Sequence, residues 1–158
     1  MALGLLLLGA VAAPPSYAQG VPDEFPGFSL ADTAGQIHTL EDYAGQPKLV
    51  MFWATWCPYC KKLFPLIKQI HADHSAAGLA VIAISVRDDG DVAAYVEEYG
   101  LKMDVLLEGD ALADSLGVPG TPAVLVVDAD NQIIFATTNS DPDDPTLNRA
   151  ALAVLQQP

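Results

Sequence analysis

Lys48-Leu49-Val50-Met51-Phe52-Trp53-Ala54 runs directly into Thr55-Trp56-Cys57-Pro58-Tyr59-Cys60-Lys61-Lys62. Six consecutive apolar residues behind one lysine is the pattern of a short central strand buried on both faces. The next segment changes period. Leu63, Leu66, Ile67 and Ile70 stand at i, i+3, i+4 and i+7, which predicts a helix over 58–75, kinked at Pro65. The chain's two cysteines, Cys57 and Cys60, therefore fall where a buried strand hands over to a helix.

That junction has its own chemistry. A helix N-terminus presents unpaired N–H groups and a partial positive charge, so a thiolate there is stabilised. Cys57 is expected to face solvent and to attack; Cys60, one turn later, is expected to be shielded and to resolve the mixed disulfide by closing a Cys57–Cys60 ring. Pro58 suits the first helical turn, and Pro58 and Tyr59 between the cysteines tune the thiolate. The competing reading is a metal-binding or carrier module, since a thiolate pair also binds soft ions such as Cu(I) or Zn. Cys57-x2-Cys60 followed by His71-x2-His74 would supply four donors. The spacing of ten residues between Cys60 and His71 lies outside the usual finger patterns, and the histidines lie more than ~16 Å along the helix. No metal ligand set is assigned. A peroxidase-type reading needs a threonine three residues before the reactive cysteine, where Ala54 stands.

Working outward, 28–30 and 37–40 read as short strands around the Asp32-Thr33-Ala34-Gly35 turn. His38 reads as an ordinary strand residue. Beyond the first helix, 79–86 is a second buried strand and 92–99 a helix, capped by Asp89 or Asp91 and stopped by Gly100. A strand at 104–107, a helix at 111–116, strands at 123–127 and 132–137 around an Asp-rich turn, and a helix at 145–155 complete the chain. Alternating strands and helices imply parallel crossovers, with the late hairpin adding an antiparallel edge. The expected class is α/β: a mixed central sheet with helices on both faces and an N-terminal β-hairpin.

Composition bounds the partners. The 158 residues are 51% hydrophobic, which argues against disorder and fits one domain. The net charge of −13 makes nucleic acid a poor partner. Residues 1–86 carry six acidic and four basic side chains (net −2), and 87–158 carry fourteen and three (net −11). Lys48, Lys61, Lys62 and Lys68 are expected to make the surroundings of the cysteines less acidic. Residues 1–13 are an almost unbroken apolar run, followed by Pro14-Pro15 and by small residues at Ser16 and Ala18. As a helix this run is ~20 Å long, short of a ~30 Å hydrocarbon core. It reads as a secretory signal over 1–18, although no Lys or Arg precedes Lys48; an uncleaved anchor is the alternative. Residues 19–27 read as a linker, and 28–158 as the folded domain.

Phe52-Trp53-Ala54-Thr55-Trp56-Cys57-Pro58-Tyr59-Cys60-Lys61-Lys62 and Pro65, together with Gly117-Val118-Pro119-Gly120-Thr121-Pro122, resemble the thioredoxin superfamily. Over about residues 25–140 the chain is most similar to its exported TlpA/ResA-like thiol-disulfide oxidoreductases. The resemblance implies a thioredoxin-like fold, a redox-active Cys57–Cys60 disulfide and no other cofactor. It implies supporting roles for Trp56, Pro58, Tyr59 and Lys61. It also implies a cis Thr121-Pro122 bond beside the cysteines, with Gly120, Thr121 and Pro122 binding an extended substrate segment. The implied partners are cysteine-containing protein substrates and a membrane thiol electron donor; the implied location is the periplasm, and the chain is expected to be a monomer. Reduction of protein disulfides is the family default, and disulfide formation or isomerisation the same-class alternative. Two departures stand out. Where relatives carry an acid to take the proton of the second cysteine, this chain has Met51 and Leu63.

Overall fold

The computed structural model describes residues 20–157; the expected leader over 1–18 lies outside the described residues. The elements, in order, are β1 (Ser29–Ala31), β2 (Ile37–Thr39), a 3-10 turn (Leu40–Tyr43), β3 (Lys48–Trp53), α1 (Pro58–His74), β4 (Ala80–Ser85), α2 (Val92–Tyr99), β5 (Asp104–Leu106), α3 (Asp110–Ser115), β6 (Ala123–Val127), β7 (Ile133–Thr137) and α4 (Pro145–Val154). No helix among the described residues is long and apolar enough to cross a membrane.

β3 sits at the centre of a five-stranded sheet of order β5-β4-β3-β6-β7, and every one of its residues is buried. It pairs parallel with β4, which pairs parallel with β5; β6 and β7 complete the sheet antiparallel. This is the expected mixed sheet. The pleat divides β3 between two cores. Leu49, Met51 and Trp53 face α1, α2 and α4; Val50 and Phe52 face α3 and the N-terminal segment. β1 and β2 form the expected separate antiparallel hairpin.

Local signals explain the boundaries. Asp91, not Asp89, caps α2, accepting the Ala94 amide at 2.9 Å, and Gly100 ends that helix with φ +58, a conformation glycine adopts without penalty. The buried stripe of α1 is Cys60, Leu63, Phe64, Ile67 and Ile70, so Phe64 takes the place expected of Leu66, which is half-buried. Pro65 lies inside the helix without ending it.

Two expectations need correction. Residues 19–27 are not a free linker throughout. Phe25 is 1% exposed, its amide donates to Asn131 O at 2.8 Å, and the Ile133 amide donates to Asp23 O at 2.7 Å. An aromatic inside an otherwise polar stretch is enough to bury it, because Phe25 fills the core beside Tyr43 and Val127. Lys48 is not part of a basic surround. It opens β3 at the end opposite the cysteines, is 0% exposed, and donates to Gln46 O at 2.6 Å.

Candidate active site

Ala54, Thr55, Trp56 and Cys57 turn the chain from β3 into α1. The Cys57 amide closes the turn on Ala54 O at 3.1 Å. Cys57 has extended φ and ψ (−83°, 108°) and occupies the N-cap of α1, with Pro58 in the first turn. Its Sγ accepts the Cys60 amide at 3.2 Å, doing for this helix what a Ser or Asp oxygen does elsewhere. The two cysteines form a disulfide with Cα atoms 5.3 Å apart.

The expectation that Cys57 faces solvent is corrected: it is 1% exposed, and Cys60 is 0% exposed. The cause lies far away in sequence. The carbonyl oxygen of Thr121 stands 3.5 Å from Cys57 Sγ, and the Thr121-Pro122 bond is cis. A reduced Cys57 thiol has a proton to donate to that carbonyl; the disulfide has none. Trp56 and Tyr59 remain 58% and 61% exposed beside the buried sulfurs. Tyr59, Pro119, Gly120, Thr121, Pro122, Thr138 and Ser140 line an open cleft of about 380 Å³. None of these side chains is charged. The structure thus brings Tyr59 and the 120–122 segment together, whereas Trp56, which the resemblance places beside that segment, is not among the residues lining this cleft and turns its indole to Arg87 O. Thr138 and Ser140 were invisible as site residues because they follow β7 in a loop that reads only as polar and acidic.

Lys61 is exposed, with its ammonium 5.7 Å from the ring centroids of both Tyr95 and Tyr99, a cation–π seat. It forms no ion pair among the described residues. Beneath it, Trp53, Phe64, Tyr95 and Tyr99 make an aromatic cluster, with the Trp53 ring 4.9 Å from both Phe64 and Tyr95. The apolar cluster that holds both cysteines also contains Met51 and Leu63, and no Asp or Glu is buried among the described residues. Burial, helped by the neighbouring Tyr99 and Glu98, pushes the Tyr95 phenol up to about 12, so it stays protonated at neutral pH. His71 and His74 lie on the last turn of α1, away from the cysteines at its first.

On the other side of the turn, the loop after β4 grips the residues before Cys57. Asp88 accepts the Thr55 amide at 2.6 Å, and the Trp56 indole N–H donates to Arg87 O at 2.9 Å. In the sequence, this stretch offers Asp89 as a candidate helix cap and nothing marks Arg87 or Asp88 as site residues.

The AhpC/TSA family model matches residues 21–136. The chain is 30% identical over 114 residues to the thiol-disulfide oxidoreductase ResA of Bacillus anthracis, covering 70% of this chain and 65% of that protein. It thus spans just under two-thirds of the length of this relative. ResA of Bacillus subtilis is 28% identical over 142 residues, 88% of this chain and 78% of that protein. Among solved structures, a Chlorobium tepidum protein assigned as DsbE, a thiol:disulfide interchange protein, superposes with a TM-score of 0.79. It is 26% identical, covering 85% of this chain and 97% of that one. A secreted Mycobacterium tuberculosis disulfide oxidoreductase homologous to Escherichia coli DsbE shares the fold, with a TM-score of 0.68 at 22% identity over 80% of this chain and 95% of that one.

Proposed function

The chain belongs to the AhpC/TSA family and is a TlpA/ResA-like member of the thioredoxin superfamily; from that premise we propose that it is a periplasmic thiol-disulfide oxidoreductase that reduces protein disulfides. The observation that carries this reading is the Cys57–Cys60 disulfide at the N-cap of α1, with one sulfur held by an amide and the other sealed in the core.

In the dithiol form, Cys57 ionises, attacks one sulfur of a client disulfide and expels the client's other sulfur as a thiolate. Cys60 loses its proton and attacks Cys57 Sγ, breaking the mixed disulfide and expelling the second client thiolate. Two electrons pass to the client, and the protein is left as the Cys57–Cys60 disulfide. A membrane thiol donor restores the dithiol by the same exchange run in reverse. The proton of Cys60 leaves to water or hydroxide, since no Asp or Glu is buried among the described residues. No other cofactor takes part. The chain acts as an exported monomer on cysteine-containing proteins, which meet Trp56, Tyr59 and the uncharged 119–122 cleft. The apolar run of residues 1–13 supports export.

The test is insulin reduction with dithiothreitol by wild type and Cys57→Ser, together with the potential of the pair. Activity lost in Cys57→Ser with a potential near ~−270 mV supports a reductase; a value near ~−120 mV makes it an oxidant. No activity combined with stoichiometric Cu(I) binding makes it a metal carrier.

A further inference from the structure

We propose that Asp88 is a positioning residue, which holds the Thr55–Trp56 turn so that Cys57 stays at the N-cap of α1. The inference rests on the thiol-disulfide reading above for its biological meaning, though not for its test.

The parallel strands β3 and β4 part at their C-terminal ends. The last rung is the Val86 amide on Trp53 O at 2.9 Å. Beyond it the Thr55 amide has no strand partner, and the Asp88 side chain replaces one. Oδ2 accepts the Thr55 amide at 2.6 Å, and Oδ1 accepts the Thr55 hydroxyl at 2.5 Å and the Gly90 amide at 3.0 Å. Arg87 O holds the Trp56 indole next door. The gripping loop is itself anchored. The Arg87 amide donates to Asp110 Oδ1 at 2.9 Å, and the Arg87 guanidinium pairs with Asp114 at 2.8 Å, both on α3. Arg87 sits at φ +49, a conformation that costs a non-glycine residue energy and needs such anchoring.

Gly90 completes the clamp by close approach. A Cβ there would overlap Thr55 Oγ1 and come within 3.1 Å of Thr55 Cβ. A side chain at position 90 would push Thr55 off Asp88 and crowd Asp88 Oδ1 at 3.2 Å, while leaving the carboxylate in place. This matters to Cys57, two residues on. Its sulfur receives the Cys60 amide only while the turn keeps it in N-cap register. A released turn lets the sulfur leave the amide, so less thiolate forms at neutral pH.

A mere charge effect has the opposite sign. Removing the Asp88 carboxylate would by itself favour a nearby thiolate, and substituting Gly90 would do nothing. The experiment follows alkylation of Cys57 by iodoacetamide in the reduced full-length protein from pH 5 to 10, for wild type, Asp88→Ala, Gly90→Ala, Thr55→Val and the pair Gly90→Ala/Thr55→Ala. Asp88→Ala and Gly90→Ala are expected to slow alkylation at pH 7 by about 3–10-fold, with the profile moved to higher pH and rates converging once the thiol is ionised in all variants. Thr55→Val, which keeps the amide bond, is expected to lie between them and wild type, and Thr55→Ala to relieve much of the Gly90→Ala effect. Faster alkylation in Asp88→Ala with no change in Gly90→Ala would overturn the proposal, as would unchanged profiles in both. If Asp88→Ala does not fold, Gly90→Ala and Thr55→Val decide alone. Insulin turnover by wild type, run in parallel, tests the function separately: its absence would sink the oxidoreductase reading and leave the alkylation result standing.

Discussion

The amide of Cys60 donates to Cys57 Sγ at 3.2 Å, across the first turn of α1. The helix therefore stabilises charge on one sulfur of the pair. Cys57 is expected to alkylate at least ~10-fold faster than Cys60 below pH 8 in the reduced protein, by mass spectrometry of the labelled peptides. Equal rates would remove the basis for assigning the attacking role. Cys60→Ser should accumulate mixed disulfides with clients, visible on non-reducing gels, because nothing else in that core resolves them.

Trp56 and Tyr59 are the large apolar side chains left in solvent beside the sulfurs. Such exposed aromatics next to a reactive centre fit a docking role. Trp56→Ala and Tyr59→Ala are expected to raise KM for a protein disulfide ~5-fold or more while leaving the rate with a small disulfide reagent within about twofold. Parallel losses on both substrates would show that the rings shape the sulfurs and not the client.

Tyr43 ties the hairpin region to the sheet edge. Its hydroxyl donates to Asp104 Oδ2 at 2.9 Å and lies 3.3 Å from His38 Nδ1, while His38 Nε2 lies 3.2 Å from Asp32. Burial, then the Asp104 bond, raises the phenol well above its ordinary value, so the donor role holds at all working pH. Tyr43→Phe should cost about 1 kcal/mol in urea unfolding, with little change in insulin reduction. An unchanged midpoint would mean that Asp104 finds water at no cost.

Lys48 is a buried base whose desolvation, only partly opposed by Asp128, lowers its pKa from 10.5. The unfolded chain then binds this proton more tightly than the folded one. The penalty is complete below the folded value and fades as pH rises toward 10.5. Lys48→Met removes it, at the loss of the Gln46 bond. Stability at pH 7 is expected to hold or rise by about 1 kcal/mol, with the difference from wild type narrowing as pH rises toward 10.5. A clear loss at pH 7 would show that the Gln46 bond outweighs the desolvation.

Asp144 caps α4. The Thr146 hydroxyl, then the Thr146 amide, hold its carboxyl below the ordinary 3.8. The stability it contributes is present above that value and lost as pH falls through the lower folded one. Asp144→Ala should lower Tm at pH 7, and Asp144→Asn should keep the cap while flattening the acid limb of the stability curve. Identical acid limbs in wild type and Asp144→Asn would refute the assignment.

Much of this was legible in the chain itself. The apolar run at 49–54 and the 3–4 spacing behind it could only be a buried strand and an amphipathic helix, so the cysteines had to meet a helix N-terminus. The Val92–Tyr99 helix and the Ala123–Val127 strand fall on their predicted bounds, because Gly100 and the Asp128 turn are strong local stops. Phe25 was not legible as core, since a lone aromatic among Pro, Gly and acids carries no period. Asp88 was not legible either: an acid after a strand looks like solvent exposure until the loop folds back on Thr55.

Sequence alone determined where the cysteine pair stands, because thiol identity, the two-residue spacing and the helix start are local properties. Only the tertiary structure decided how available those atoms are. Thr121 O reaches Cys57 Sγ across 64 residues of chain and Asp88 reaches Thr55 across 33, and the sulfur expected in water is 1% exposed. Burial and such non-local hydrogen bonds depend on what the sheet brings alongside, which no local period can encode.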